Sequence, residues 1–383
     1  MTTDAEHPSG YRKIRHARNR DHPVVALTIG DMNGIGPEII LKVLPKILET
    51  ETGRQSGFLL YASEKVLRFY SGPIDQHSSG NNPDDGILPG FLTQLPDTSG
   101  LTYRKNLLFP DAKSVIPVPA PGEVVLVPCR EEEGHVQPGE ITAAAGKLSM
   151  DAVAAGVSAC LDGLADAIVT APISKEAIHK AGFSVPGHTE YLAQLTEART
   201  FGMMLVNEAM RIGLVTIHIP LRDVAGQLSV DRVITRLRIY HQALEHDFGI
   251  PDPAIAVLGL NPHASDGGVI GNEENEIIIP AVNAAVLDGI RASGPWPADG
   301  FFATGGHQRA DLVLAMYHDQ GLIPLKLAGF GSGVNITAGL PIIRTSPDHG
   351  TAFSLAGKNK ADDRSMMAAV RTALDMVKRR TTS

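Results

Sequence analysis

The chain has 383 residues, 43% apolar and 20% charged, with 34 Lys and Arg against 42 Asp and Glu and a formal net charge of −8 at neutral pH. This balance suits a globular chain long enough for two packed α/β lobes, and it argues against a protein that binds nucleic acid through bulk positive charge. No stretch approaches the ~20 apolar residues of a membrane span.

Residues 1–22 are polar, carry the basic cluster YRKIRHARNR and lack an apolar core, so they read as a disordered, solvated tail. A strand is expected over 23–30 (PVVALTIG), then a loop, DMNGIG, then a helix opened by Pro37 and Glu38 that runs to about residue 47. A second strand fits 58–62. From 71 to 122 the composition turns to Pro, Gly, Asn, Asp and Ser, which reads as an irregular insertion. Strand 124–128, an Ala-rich helix over 142–163 and strand 166–170 come next. Strands at 212–219, 254–260 and 311–317 then alternate with helices at 230–247 and 274–292, and a last helix covers 365–379. Alternation of this kind predicts mainly parallel sheets. Cys129 and Cys160 lie in apolar or helical contexts with no CxxC spacing and read as reduced thiols of a cytoplasmic protein.

Three of the apolar runs end in a histidine: RIGLVTIH at His218, AIAVLGLNPH at His263 and DLVLAMYH at His318. Ligands of open α/β sheets bind beyond the carboxyl ends of the strands. Three imidazoles delivered there make a divalent-metal site, better suited to zinc, cobalt, nickel or ferrous iron than to magnesium, which prefers oxygen. Any one of the chain's 14 histidines could equally be structural; the shared placement is what sets these three apart.

Other segments carry weaker signals. GDMNGIGPE mimics a dinucleotide fingerprint, but its third glycine position is Ile39, and a tight turn explains the glycines as well. In PGHTEYLAQL, Thr189 is placed to cap a helix starting at Glu190, presenting His188 and free N–H groups to solvent or to an anion. In the stretch from Pro324 to Asp363, Gly329, Gly331 and Gly333 give a pliable loop, and Lys326 and Arg344 supply two cations that could clamp a phosphate or carboxylate.

At these residues the chain resembles the 4-hydroxythreonine-4-phosphate dehydrogenase family, part of the isopropylmalate and isocitrate dehydrogenase-like group. The motifs that carry the likeness are GIGPEI, VTAPISKEAI, GHTEYLA, TIHIPLRDV, LNPHASDGG, MYHDQGLIPLK, GVNITAGLPIIRTSPDHGTAF and LAGKNKAD, spread in order over about 24–50 and 140–375. The resemblance implies an α/β fold of two α/β/α lobes with the active site in an interdomain cleft. Residues 23–165 plus 330–383 would form the cofactor-side domain, and 166–329 the metal, substrate and dimerisation domain. It implies His218, His263 and His318 as metal ligands and His188, Thr189, Lys326, Asn335, Arg344 and Asp299 as substrate contacts. Lys326 and Asp319 are then alternative general bases. The stretch DHGTAFSLAGKNKAD resembles the loop that binds the adenosine part of NAD in isopropylmalate dehydrogenases, which implies Asp348, His349, Gly350, Thr351, Ala352, Leu355 and Gly357 as cofactor contacts.

The activity implied by the resemblance is a metal- and NAD- or NADP-dependent oxidation of a phosphorylated amino acid, 4-phosphohydroxy-L-threonine, in pyridoxal phosphate biosynthesis. The metal would be zinc first, with cobalt or magnesium as alternatives. The partners would be a small-molecule substrate and a second copy of the chain, with sites near the subunit interface and no nucleic acid or membrane. Other anionic hydroxy acids, such as threonate or erythronate 4-phosphate or a cyclohexadiene-diol dicarboxylate, remain as substrates of the same chemistry. A metal-dependent hydrolase or lyase is a more distant reading, which leaves the glycine-rich loop unexplained. Two departures from the family pattern stand out: GDMNGIG replaces GDPAGIG, and NPHASDGG replaces NPHAGEGG.

Overall fold

The computed structural model describes residues 20–71, 101–102, 116, 118–129, 135–329 and 331–382. The expected tail, up to residue 19, and most of the 71–122 insertion lie outside the described residues. Where the chain enters the fold, Arg20 donates to the Leu164 carbonyl at 2.6 Å and to Asp166 at 3.0 Å, and His22 Nε2 lies 2.8 Å from the Pro119 carbonyl.

The chain folds as two compact units: residues 1–198 with 340–343 and 350–361, and residues 199–339 with 344–349 and 362–383. Residues 166–198 thus join the first unit, because strand β5 pairs directly with β1. The last helix joins the second unit: Thr345 donates to the Ala369 carbonyl at 2.8 Å, and Arg380 pairs with Asp247 at 2.6 Å.

In the first unit the strands are β1 (Val24–Thr28), β2 (Gly57–Ala62), β3 (Leu101–Thr102), β4 (Val124–Pro128) and β5 (Ala167–Thr170). They pair in parallel in the order β3-β4-β2-β1-β5. Every residue of β1 is buried, as its unbroken apolar sequence requires of a parallel strand covered on both faces. The helix Gly36–Leu48 starts at a proline in its first turn, and Thr142 caps Ala143–Leu161 by accepting the Ala145 N–H at 3.2 Å.

The second unit holds β6 (Gly202–Val206), β7 (Arg211–Leu214), β8 (Ile255–Leu258), β9 (Ala292–Trp296), β10 (Leu312–Ala315), β11 (Val334–Ala338) and β12 (Ile343–Pro347). Their order is β12-β11-β6-β7-β10-β8-β9. The β7–β10–β8–β9 side is parallel; the β12–β11–β6–β7 side is antiparallel. The fold is α/β with mainly parallel pairing, as the alternation predicts, and its antiparallel pairs all lie in this unit. A core of Met203, Leu205, Ile212, Leu214, Leu258, Val313, Leu322 and Leu325 fills it. From the helix Val230–His246, the Tyr240 hydroxyl lies 2.8 Å from the Leu214 carbonyl and 3.0 Å from that of Met203, locking β6 to β7.

Three segments differ from expectation. The helix expected over 274–292 is a π turn, Glu274–Ile278, then the helix Ile279–Leu287 and then β9. Strand β6 has no counterpart among the expected elements. After the glycine loop, where no strand is expected, lie β11 and β12, whose polar residues are taken up inside the sheet: Thr337, Arg344, Thr345 and Ser346 are all buried. Among the described residues, no helix is long and apolar enough to cross a membrane. Cys129 and Cys160 are both buried thiols.

Candidate active site

Strand β7 ends at Leu214, and the chain continues beside β10 as the Val215 and Thr216 N–H groups bond to the Ala315 and Met316 carbonyls, delivering His218 past the sheet. His318 is the first residue of the helix His318–Ala328, directly beyond β10. The two imidazole rings stand 5.5 Å apart between centroids. His318 Nδ1 lies 2.7 Å from the Asp319 carboxylate, which fixes the ring and leaves Nε2 as its outward donor atom. Asp319, one of two bases suggested by the sequence, is therefore engaged in orienting His318.

His263 takes a different course. It opens a run of five left-handed residues, His263 to Gly267, with φ between 47° and 67°. For the four non-glycine residues this conformation costs on the order of 1–2 kcal/mol each. The base of the turn is held by buried Glu274, whose Oε1 accepts the Leu260 and Asn261 N–H groups at 2.7 Å each and whose Oε2 accepts the Asn261 amide at 2.9 Å. Among the described residues no three His, Cys, Asp or Glu side chains gather closely enough to hold a metal ion. The structure brings His218 and His318 together and leaves His263 outside their cluster. Two imidazoles, one braced by a carboxylate, fit two positions of a zinc- or cobalt-type donor set.

Lys326 lies on the same helix as His318, and its Nζ is 3.6 Å from Asp348 Oδ2. Burial raises the Asp348 pKa above the usual carboxylate range, while Lys326, His318 and His349 each act to lower it. The position of Asp348 is built in. Its N–H donates to Ser365 Oγ at 3.0 Å, Ser365 Oγ donates to the Gly333 carbonyl at 2.6 Å, and a Cβ on Gly333 would come within 3.0 Å of the carboxylate. Asp348, expected among cofactor contacts, thus faces Lys326. Arg344 is 2% exposed on β12 and donates to Thr337 at 3.1 Å. Asn335 Oδ1, on β11, is buried with no hydrogen-bond partner among the described residues. Asp299 is exposed in the first turn of the helix Ala298–Ala303.

Two other predicted contacts lie in the first unit. The helix His188–Leu195 begins two residues earlier than expected: Gly187 is its cap, and the Gly187 carbonyl accepts the Tyr191 N–H at 3.3 Å. Thr189 therefore sits inside the first turn and does not cap it. In the loop 350–361, the Thr351 carbonyl accepts the Ile35 N–H at 3.0 Å, Ala352 is left-handed (φ 40°), and Leu355 is partly exposed. Gly357 is left-handed (φ 74°) and donates its N–H to Glu38.

Compared with known proteins, residues 101–373 match the family model described as "Pyridoxal phosphate biosynthetic protein PdxA". The chain is 38% identical to a 4-hydroxythreonine-4-phosphate dehydrogenase of Bacteroides thetaiotaomicron, over 93% of this chain and 89% of that one. The chain belongs to the PdxA family. It is accordingly an enzyme of the oxidoreductase class. A crystal structure of 4-hydroxythreonine-4-phosphate dehydrogenase from Klebsiella pneumoniae matches this PdxA-family fold with a TM-score of 0.74 and 36% identity, covering 94% of this chain and 99% of that one. A terephthalate 1,2-cis-dihydrodiol dehydrogenase from Burkholderia xenovorans matches with a TM-score of 0.58 and 27% identity, over 93% and 98%.

Several polar residues that shape these PdxA-family loops carry no signal in the sequence. Asp31 is fully buried, and burial pushes its pKa up to about 6 although the Asn33 N–H donates to its carboxylate at 2.9 Å. Asn33, at one of the departures from the family pattern, donates to the Glu140 carbonyl at 2.9 Å and accepts the Gln137 N–H at 2.8 Å. By sequence, Glu38 and Glu274 are part of a helix start and of a helix; both are buried carboxylates that bond to the backbone of a distant or preceding loop. A glutamate in a first turn ordinarily faces solvent, so only burial distinguishes these two.

Proposed function

We propose that this chain catalyses the metal- and NAD- or NADP-dependent oxidation of 4-phosphohydroxy-L-threonine to a β-keto acid, which decarboxylates to 3-amino-2-oxopropyl phosphate. The observation that carries this reading is the grouping of His318, Lys326 and Asp348 in a chain that shares nearly its whole length with dehydrogenases of that name. His218, His263 and His318 would hold the metal. His263 stands outside the pair formed by the other two, and the homodimer implied by the family resemblance offers it a place in a second copy's donor set. When bound, a divalent metal supplies Lewis-acid polarisation of the substrate hydroxyl, and a nicotinamide dinucleotide on the 348–357 loop supplies the hydride acceptor.

The residues of the chain do the rest. Arg344, buried and pre-oriented by Thr337, would bind the anionic end of the substrate, and Asn335 would contribute its buried amide oxygen; Asp299 is a further contact implied by the family resemblance. Asp319 holds the His318 ring. With Asp319 so occupied, Lys326 is the base. Asp348, whose Oδ2 lies 3.6 Å from Lys326 Nζ, holds the amine in place, and Nζ would accept the hydroxyl proton.

The likeness to a dihydrodiol dehydrogenase supports one second reading, the same chemistry on a cyclohexadiene-diol dicarboxylate. A side-by-side measurement of kcat/KM on the two substrates separates them. The phosphorylated hydroxy amino acid is expected to be preferred by at least about 10²-fold, since a site built for its polar groups rejects analogues that lack them. Preference for the diol would replace the first reading with the second.

A further inference from the structure

We propose that Glu38 is a positioning residue that fixes the 350–361 loop and thereby sets the affinity for the nicotinamide dinucleotide; this rests on the reading of that loop as cofactor-binding. Glu38 lies in the first turn of the helix Gly36–Leu48 and is 5% exposed. Its carboxylate Oε1 accepts the Gly357 N–H, and the following Lys358 and Asn359 backbone groups also favour its charged form. Glu38 Oε2 is buried with no hydrogen-bond partner among the described residues. One turn along the same helix, Lys42 Nζ donates to the Asn359 carbonyl at 3.1 Å and the Ala361 carbonyl at 2.9 Å. The pair grips the loop by opposite backbone groups, the carboxylate by an N–H donor and the ammonium by carbonyl acceptors.

The loop needs such a grip. Ala352 (φ 40°) and Asn359 (φ 53°) are left-handed L residues, a conformation that persists only where its surroundings enforce it. The same segment of the first unit presses on the loop at two more points. Ile35 donates to the Thr351 carbonyl, and a Cβ on Gly34 would lie 3.0 Å from Thr351. Asn33, at a departure from the family pattern, ties down the 137–142 turn, and Pro138 of that turn lies 3.0 Å from where a Cβ on Gly357 would be. Residues 33–42 thus form a template for the loop, with Glu38 its central anchor. The charged and titratable groups around Glu38 are Lys42, Asp31 and Tyr70; the Tyr70 hydroxyl is bonded to the Met32 carbonyl at 2.9 Å. A backbone loop that is already set before its ligand arrives binds more tightly because less ordering remains to be done.

The test compares the full-length wild type with Glu38→Ala, Glu38→Gln and Asn33→Ala. NAD affinity is read by titration calorimetry, kcat and both KM values by turnover, and loop order by amide hydrogen exchange. Glu38→Ala is expected to weaken NAD binding by about tenfold or more, as loss of a charge-assisted anchor implies, with faster exchange confined to the 350–361 loop. The substrate KM and the kcat at saturating NAD should stay within about twofold. Glu38→Gln, whose amide oxygen still accepts an N–H, should recover part of the affinity, and it carries the test if the alanine variant fails to fold. Asn33→Ala should show the same pattern more weakly.

Unchanged loop exchange would overturn the proposal, as would loosening throughout the first unit with both KM values raised together. Loosening of the loop with unchanged NAD affinity, in a wild type that binds NAD, would overturn it too. If the wild type binds no NAD while the loop loosens as expected, Glu38 keeps its positioning role and the cofactor reading of the loop falls.

Discussion

The 260–268 turn and the 350–361 loop are built alike at one end and differently at the other. Each is anchored by a buried glutamate that accepts backbone N–H groups, Glu274 for the first and Glu38 for the second. Beyond the anchor they diverge. The 350–361 loop is held along its length by Ile35, Glu38 and Lys42, and its left-handed residues are isolated. The 260–268 turn is held only at its base by these bonds, then runs through five left-handed residues starting at His263, and among the described residues His263 joins no metal-binding group with His218 and His318. A segment whose main chain is the binding surface can be completed inside one chain. A segment that delivers one side chain to a shared centre can be anchored at its base and still depend on what it delivers to. In the proposed reading that is a metal, and the partner subunit of a homodimer.

The largest effect expected from this contrast is at the histidines. Replacing His218, His263 or His318 by Ala should remove bound metal, measured by elemental analysis, and lower turnover by about 10³-fold or more, as loss of several kcal/mol of charge stabilisation implies. A His263→Ala variant with wild-type metal content would break the contrast outright, because the turn would then deliver nothing. Next comes the Lys326–Asp348 pair. Lys326→Met and Asp348→Asn should each lower kcat by about 10²-fold, the usual size of general-base catalysis, with the double variant no worse than either single one. Additive losses would mean that the two act separately.

The smallest effect concerns stability. Asp31 is fully buried, and its folded-state pKa of about 6 stands above the ordinary aspartate value of 3.8. The folded state therefore holds its proton more tightly than the unfolded state. The resulting penalty is absent below about pH 4 and complete above about pH 6, so this group makes the protein less stable as pH rises through that window. The size is on the order of 3 kcal/mol. Asp31→Asn should raise the denaturation midpoint at pH 7 and leave it unchanged at pH 4; equal shifts at both would show that Asp31 titrates normally.

Much of this architecture is legible in the chain. Unbroken apolar runs mark β1, β7, β8 and β10, because parallel strands buried on both faces have no polar side to show. A histidine just past such a run lands beyond the sheet, as His218 and His318 do. Strands β11 and β12 are hidden because VNITA and IRTSP carry polar residues whose partners lie inside the sheet, where Arg344 meets Thr337. Thr189 has the residue type of a helix cap, yet the backbone turns earlier, at Gly187. The roles of Glu38, Glu274 and Asp348 depend on which loops the topology brings to their carboxylates, and no local pattern encodes that. Residue spacing reports which face a side chain occupies along its own element; it is silent on partners far away in sequence.

The most direct test of the central claim is to follow NADH formation in the near ultraviolet with 4-phosphohydroxy-L-threonine as substrate, before and after chelation and with zinc, cobalt or magnesium restored. Turnover that is lost on chelation and returns with a divalent metal is the expected result. Turnover that survives complete removal of metal, or none with any metal although NAD and the substrate both bind, would contradict the account.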